Sequence, residues 1–123
     1  MKSLLVLLIL SLQASAWADW VLVDETDKTV IYVDPERIQK NAQFPTAWQL
    51  SDYRSPTKRG VLSSENLIEF DCKAKLRRTL AFVSHAENMG EGPVKFKNLQ
   101  AGQWRPVPHD SVAEKIMEMA CEH

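Results

Sequence analysis

Along NLIEFDCKAKLR, apolar and charged side chains alternate residue by residue. Ile68, Phe70, Cys72, Ala74 and Leu76 fall on one side, and Glu69, Asp71, Lys73, Lys75 and Arg77 on the other. An extended backbone turns successive side chains to opposite faces, so this stretch predicts a half-buried strand with Cys72 facing the core. The pattern resumes beyond Arg78 in TLAFVSHAE, which leaves two readings: the strand bends, or a tight turn near Lys73 to Arg78 opens a new one. Upstream, DWVLV and KTVIYVD are β-branched and aromatic runs joined by the polar DETDK, which predicts a hairpin with Trp20 packed in it. In VDPERIQKNA, Asp34 is placed to cap a short helical turn and Pro35 to open it, because that position needs no amide donor. FPTAWQLSDY reads as extended, with Phe44, Trp48 and Leu50 on one face and Gln49 and Ser51 on the other, and RSPTKRG as the loop after it. NMGEGP is a turn and VKFKNL a further strand.

The period changes at the C-terminus. In SVAEKIMEMACEH, Val112, Ala113, Ile116, Met117, Ala120 and Cys121 recur at spacings of three and four, the stripe of an amphipathic helix. Ser111 followed by Glu114 fits a capping box, so the helix is predicted to begin at Val112. A helical stripe of this width must be covered, and the surface available is the apolar face of the sheet that carries Cys72. The fold class predicted is α+β: an antiparallel sheet with a C-terminal α-helix packed on one face.

The N-terminus changes the picture by assigning a compartment. MKSLLVLLILSLQASAWADW has one cation, Lys2, an apolar run from Leu4 to Leu12, and small residues at Ala14, Ala16 and Ala18. A basic start, an apolar stretch of about 7–15 residues and an A-x-A site describe a secretory signal peptide. Cleavage after Ala16-Trp17-Ala18 is favoured over Ala14-Ser15-Ala16, which gives a signal peptide over residues 1–18 and one domain over 19–123. The run falls short of the ~18 apolar residues that cross a bilayer. With no cysteine after it to accept a lipid, the expected product is exported to the periplasm or beyond without an anchor. In such an oxidising compartment, two cysteines on two packed surfaces predict a Cys72–Cys121 disulfide. It closes a loop of about 50 residues, which the chain-entropy model values at about 4 kcal/mol.

Charge and motif narrow the function by exclusion. The balance of 15 Lys+Arg against 16 Asp+Glu argues against a nucleic-acid partner. There is no phosphate-binding glycine loop and no G-x-S-x-G elbow, so no cofactor is expected. His85, His109 and His123 are scattered without ligand spacing, which argues against a metal site. His109-Asp110-Ser111 has the residue types of a triad, but a triad is a geometry across a fold, and Asp110 and Ser111 are explained as the helix start. Glu65 and Glu69 lie on a strand, and alternation alone gives them no acid–base environment. Catalysis is not expected.

Several stretches together carry a resemblance: YVDPERI, WQLSDY, SSENLIEFDC, MGEG and WRPVPHDSVAEKIMEMAC, in that order along the chain. With these the chain resembles the surface-adhesin protein E family of small exported bacterial proteins. The resemblance implies an antiparallel sheet of about six strands with a disulfide-tethered C-terminal helix. It also implies attachment to host extracellular-matrix proteins, by relatives that are lipid-anchored at the outer surface, whereas this chain has no lipid-acceptor cysteine. The expected function is therefore noncatalytic binding of a macromolecule, a host matrix protein or an envelope protein. A periplasmic structural or accessory role is the alternative. Lys73, Lys75, Arg77 and Arg78, with Lys58 and Arg59 in the preceding loop, are the candidate basic patch for an acidic partner; Glu69 and Asp71 dilute it, which favours an ordinary solvated face. Trp48, Trp104, Phe44 and Tyr53 are read as packing residues before binding residues. Aromatics exposed on an edge strand would point instead to a homodimer or a protein partner.

Overall fold

The structure, a computed structural model, describes residues 19–122; the signal peptide expected over 1–18 and His123 lie outside the described residues. Strands β1 (Val21–Glu25) and β2 (Thr29–Val33) form the first hairpin. A 3₁₀ turn at Pro35–Arg37 leads to β3 (Thr46–Tyr53), β4 (Ser63–Asp71) and β5 (Leu76–His85). A second 3₁₀ turn, Asn88–Gly90, precedes β6 (Val94–Asn98); β7 (Arg105–Pro106) and helix α1 (Val112–Cys121) complete the chain. The strands pair antiparallel in sequence order from β1 to β6, and β7 pairs with β5. Among the described residues no helix is long and apolar enough to cross a membrane.

Local chemistry sets these boundaries. Asp34 accepts from the Glu36 amide at 3.0 Å and Pro35 opens the turn, as the sequence predicts. The long alternating stretch resolves into the tight-turn reading: β4 stops at Asp71, residues 72–75 form the turn, and β5 starts at Leu76. Asp71 Oδ1 accepts from the Ala74 amide at 3.0 Å, and Lys75 adopts a φ of 57°, so side-chain capping and one left-handed residue reverse the chain. Cys72 therefore sits half-buried at the start of a turn, and not mid-strand. The alternation ran through it because the turn residues happen to keep the same order of polarity.

Register decides which side the helix covers. Val33 stands opposite Gln49, Ala47 opposite Ile68, and Phe70 follows two residues on. These side chains share one face and pack with Ile116, Met117 and Ala120 of α1 into the core. Burying the Val, Ile, Phe and Met side chains among them stabilises the fold by roughly 1.5–3 kcal/mol each. On β3 it is Ala47 that meets this core; Trp48 and Leu50 share a face as expected, but it is the opposite one. Phe44 precedes the strand, and Trp20 precedes β1 to pack outside the hairpin.

At the start of α1, Ser111 Oγ accepts from the Glu114 amide at 3.1 Å, the first half of the capping box. The return contact reaches one residue further than the motif requires, with the Asp110 amide donating to Glu114 Oε1 at 3.2 Å. Asp110 has a φ of 58°, which swings its amide into reach.

Candidate functional site

The sheet thus has one face covered by α1 and an opposite, open face that no helix covers among the described residues, although it buries Leu50 and Ala81. Cys72 and Cys121 join the turn after β4 to the last residue of α1, with Cα atoms 5.8 Å apart. That cross-link holds the helix over Ala47, Ile68 and Phe70. The four candidate basic residues are not gathered on one side. Lys73 and Lys75 are exposed in the turn; Arg77 stands opposite Phe70 on the helix face; Arg78 stands opposite Glu69 on the open face. Arg78 Nε donates to Glu69 Oε1 at 2.7 Å and its guanidinium lies 4.6 Å from the centre of the Trp104 ring. It is already satisfied.

Aromatic rings and arginines organise the open face. The Arg37 guanidinium lies 5.2 Å from the Trp20 ring centre and 5.3 Å from that of Trp48, while its Nε donates to the buried Asp34 at 2.7 Å. Two indoles thereby stack on one planar cation, a contact worth more as it becomes desolvated. Phe44 and Trp104 meet edge-on, with centres 5.2 Å apart, beside Arg78. All four aromatics are half-buried, so the sequence expectation of packing holds for their bodies while their outer surfaces remain accessible. Tyr53 lies on the other face, within 2.8 Å of Ser64 Oγ. The cross-element pairing of Arg37 and Arg78 with indoles was not readable from the sequence, because no local spacing encodes it.

A groove opens between the Trp20–Arg37 stack and the segment Met89–Gly92, with Glu65 among its lining. Side chains of the sheet pin the far wall. The Met89 amide donates to Asp52 Oδ1 at 2.8 Å, the Gly90 amide to Ser63 Oγ at 2.9 Å, and Ser63 Oγ to the Glu87 carbonyl at 2.6 Å. Asn88 Nδ2 donates to the Tyr53 carbonyl at 2.9 Å. Gly90, at a φ of +72°, lies so close to Glu65 that a β-carbon there would collide with the carboxylate. Beneath, His85 Nε2 is 3.2 Å from Glu65 Oε1, close enough for a charge contact but poorly aligned for a hydrogen bond.

The titratable groups are bound up with folding. His109, Asp110 and Glu114 bring ligand-type atoms within 4.8 Å of one another, yet these are the contacts of the helix start: Glu114 accepts from the Asp110 amide and neighbours His109 Nδ1 at 3.3 Å. The Asp110 amide, chiefly, and His109 hold the Glu114 carboxyl below its usual range, against a smaller opposing effect of burial.

A family model described as surface-adhesin protein E matches residues 20–122, essentially every described position. The chain belongs to the surface-adhesin protein E family. The fold agrees with a solved member: the crystal structure of Haemophilus influenzae protein E superposes with a TM-score of 0.56 at 14% identity, covering 80% of this chain and 91% of that one. No curated protein matches the chain by sequence.

Proposed function

We propose that this protein E family member is a noncatalytic exported module that binds a macromolecular partner, either a host matrix protein or a component of the cell envelope. The observation that supports this most directly is the open face, where Trp20, Trp48, Trp104 and Phe44 stay half-buried with accessible outer surfaces, Trp20 lining the groove against Met89–Gly92. Large, rigid, amphipathic side chains of this kind supply binding energy at low conformational cost. Family membership supports the adhesin half of the proposal. His109 and Glu114 take part in the contacts of the helix start, which gives them a structural use.

The deciding experiment fractionates native cells and treats intact cells with protease, followed by solid-phase binding of the purified protein to matrix proteins. Digestion on intact cells or release to the medium, with saturable binding, supports the adhesin reading. Protection from protease and release with the periplasm would overturn it in favour of an accessory role inside the envelope.

A further inference from the structure

Among the described residues, β6 ends the sheet with no strand beyond it. All five of its residues are exposed, and it carries apolar surface an edge strand normally avoids: Val94 is 53% exposed, Phe96 54%, and Leu99 just after it 61%. Phe96 stands opposite Ser84 on the helix-side face, its ring tilted against Phe82 with centres 6.1 Å apart. Lys97 stands opposite Val83 on the open face. Lys95 falls at the irregularity in the pairing, with its Cε 3.8 Å from where a β-carbon on Gly60 would stand, so its side chain lies by the loop that carries Lys58 and Arg59. None of these four cations is in an ion pair among the described residues. We propose that β6 is a strand-addition site for an extended acidic segment of a partner protein, pairing through the backbone and setting carboxylates beside Lys97 and Lys95 and an apolar side chain beside Phe96.

This deepens the binding reading above and rests on it. A free row of backbone donors and acceptors is useful only to a polypeptide, so the edge favours a peptide over an acidic glycan. Self-pairing of β6 would set lysine against lysine across the strands, which is destabilising. The other free edge, β1, also exposes Val21 and Leu22, but its acids are engaged within their own chain: Asp24 lies 3.6 Å from Lys115 and Glu25 2.9 Å from Arg54. A second copy therefore has few spare carboxylates to offer β6.

The probe is a fluorescently labelled peptide of alternating Glu and Val, titrated by anisotropy against the full mature chain. Two further versions carry N-methyl groups on all the Glu or all the Val amides. Binding of the parent peptide, loss of binding in one methylated version, and new hydrogen-exchange protection at Val94–Asn98 are expected. Lys97→Glu or Lys95→Glu, both on exposed positions, should weaken binding about five- to tenfold at low salt. Equal binding of both methylated peptides, preference for heparin, self-association through β6, or no binding of the parent would each overturn the proposal. If the intact protein still binds matrix or envelope proteins and the lysine variants bind them as well as the parent chain does, the strand-addition site falls while the binding function stands.

Discussion

Replacing both Cys72 and Cys121 by serine isolates the tether, because removing both leaves no free thiol to cross-link copies. The bridge spans a sequence separation of 49. In the chain-entropy model, a constant term and 1.5R ln n together give about 14 cal/mol/K for such a loop, or about 4 kcal/mol at room temperature. Set against the ~5–15 kcal/mol that single domains possess, that is a large fraction. The expected outcome is a urea midpoint lowered by the equivalent of about 4 kcal/mol and a melting temperature lower by roughly 15–30 °C. Tryptophan fluorescence reports the transition, since Trp20, Trp48 and Trp104 all sit on the sheet's open side, away from the substituted positions. Hydrogen exchange distinguishes where the tether acts. If it acts on the unfolded chain, the amides of α1 in the double-serine protein exchange together with those of the sheet. A stability loss under about 1 kcal/mol, or α1 amides exchanging well ahead of the sheet, would refute the loop-closure reasoning and leave the tether as a local clamp on the helix.

Three further changes test the local contacts. Ser111→Ala should cost about 1 kcal/mol by orphaning the Glu114 amide; because the Glu114 carboxyl is held below its ordinary 4.5, its contribution is full above that value and is lost as pH falls through and below it, so helix content should drop on acidification in the parent chain and stay flat in Glu114→Gln. Arg37→Ala should cost about 1–3 kcal/mol, since it leaves the buried Asp34 carboxylate without its cation, and should red-shift tryptophan emission; Arg37→Lys should restore little, having no planar group to stack between Trp20 and Trp48, and full recovery would show that charge alone matters. Gly90→Ala should cost about 1–2 kcal/mol from its left-handed backbone and its approach to Glu65, and Glu65→Ala in the same chain should recover the steric part only; equal urea midpoints for Gly90→Ala and the parent would contradict the geometry.

The sheet and the helix were legible because each is written in one dominant period. Val112 to Cys121 keeps a helical stripe over its whole length, and the capping residues lie immediately before it. The pairing of the cysteines followed from the same logic, since both lie at the margin of a buried surface. What failed to read was where one element stops inside a continuous pattern. Polarity alternates through the turn at residues 72–75, and only Asp71 and a left-handed Lys75 mark the reversal; lysine gives no warning of that conformation as glycine would. The candidate basic patch was drawn on that uninterrupted strand, so its four members separate once the turn is made. The edge of the sheet was equally hidden. VKFKNL is recognisable as a strand, but whether a strand is central or terminal is a property of the topology, and the exposure of Phe96 depends on it.

The position of the tether bears on where binding can occur. A sheet of this length of chain has two faces and two edges, and stability requires only one face to be covered. The disulfide fixes which one, by holding Ile116, Met117 and Ala120 against Val33, Ala47, Ile68 and Phe70. The face behind it buries a smaller apolar set, with Leu50 fully buried and Val30 and Ala81 nearly so, while its tryptophans, stacked on Arg37 and Arg78, stay half-buried. A partner that engaged the helix side would compete with the core for the same apolar surface, whereas one that engages the open face or extends the sheet at β6 leaves the core untouched. Binding at those places should therefore survive mild destabilisation of α1. A double-serine chain held well below its lowered melting temperature should bind its partner as the disulfide-linked chain does, and a parallel loss of binding and of helix packing would show that the interface includes α1.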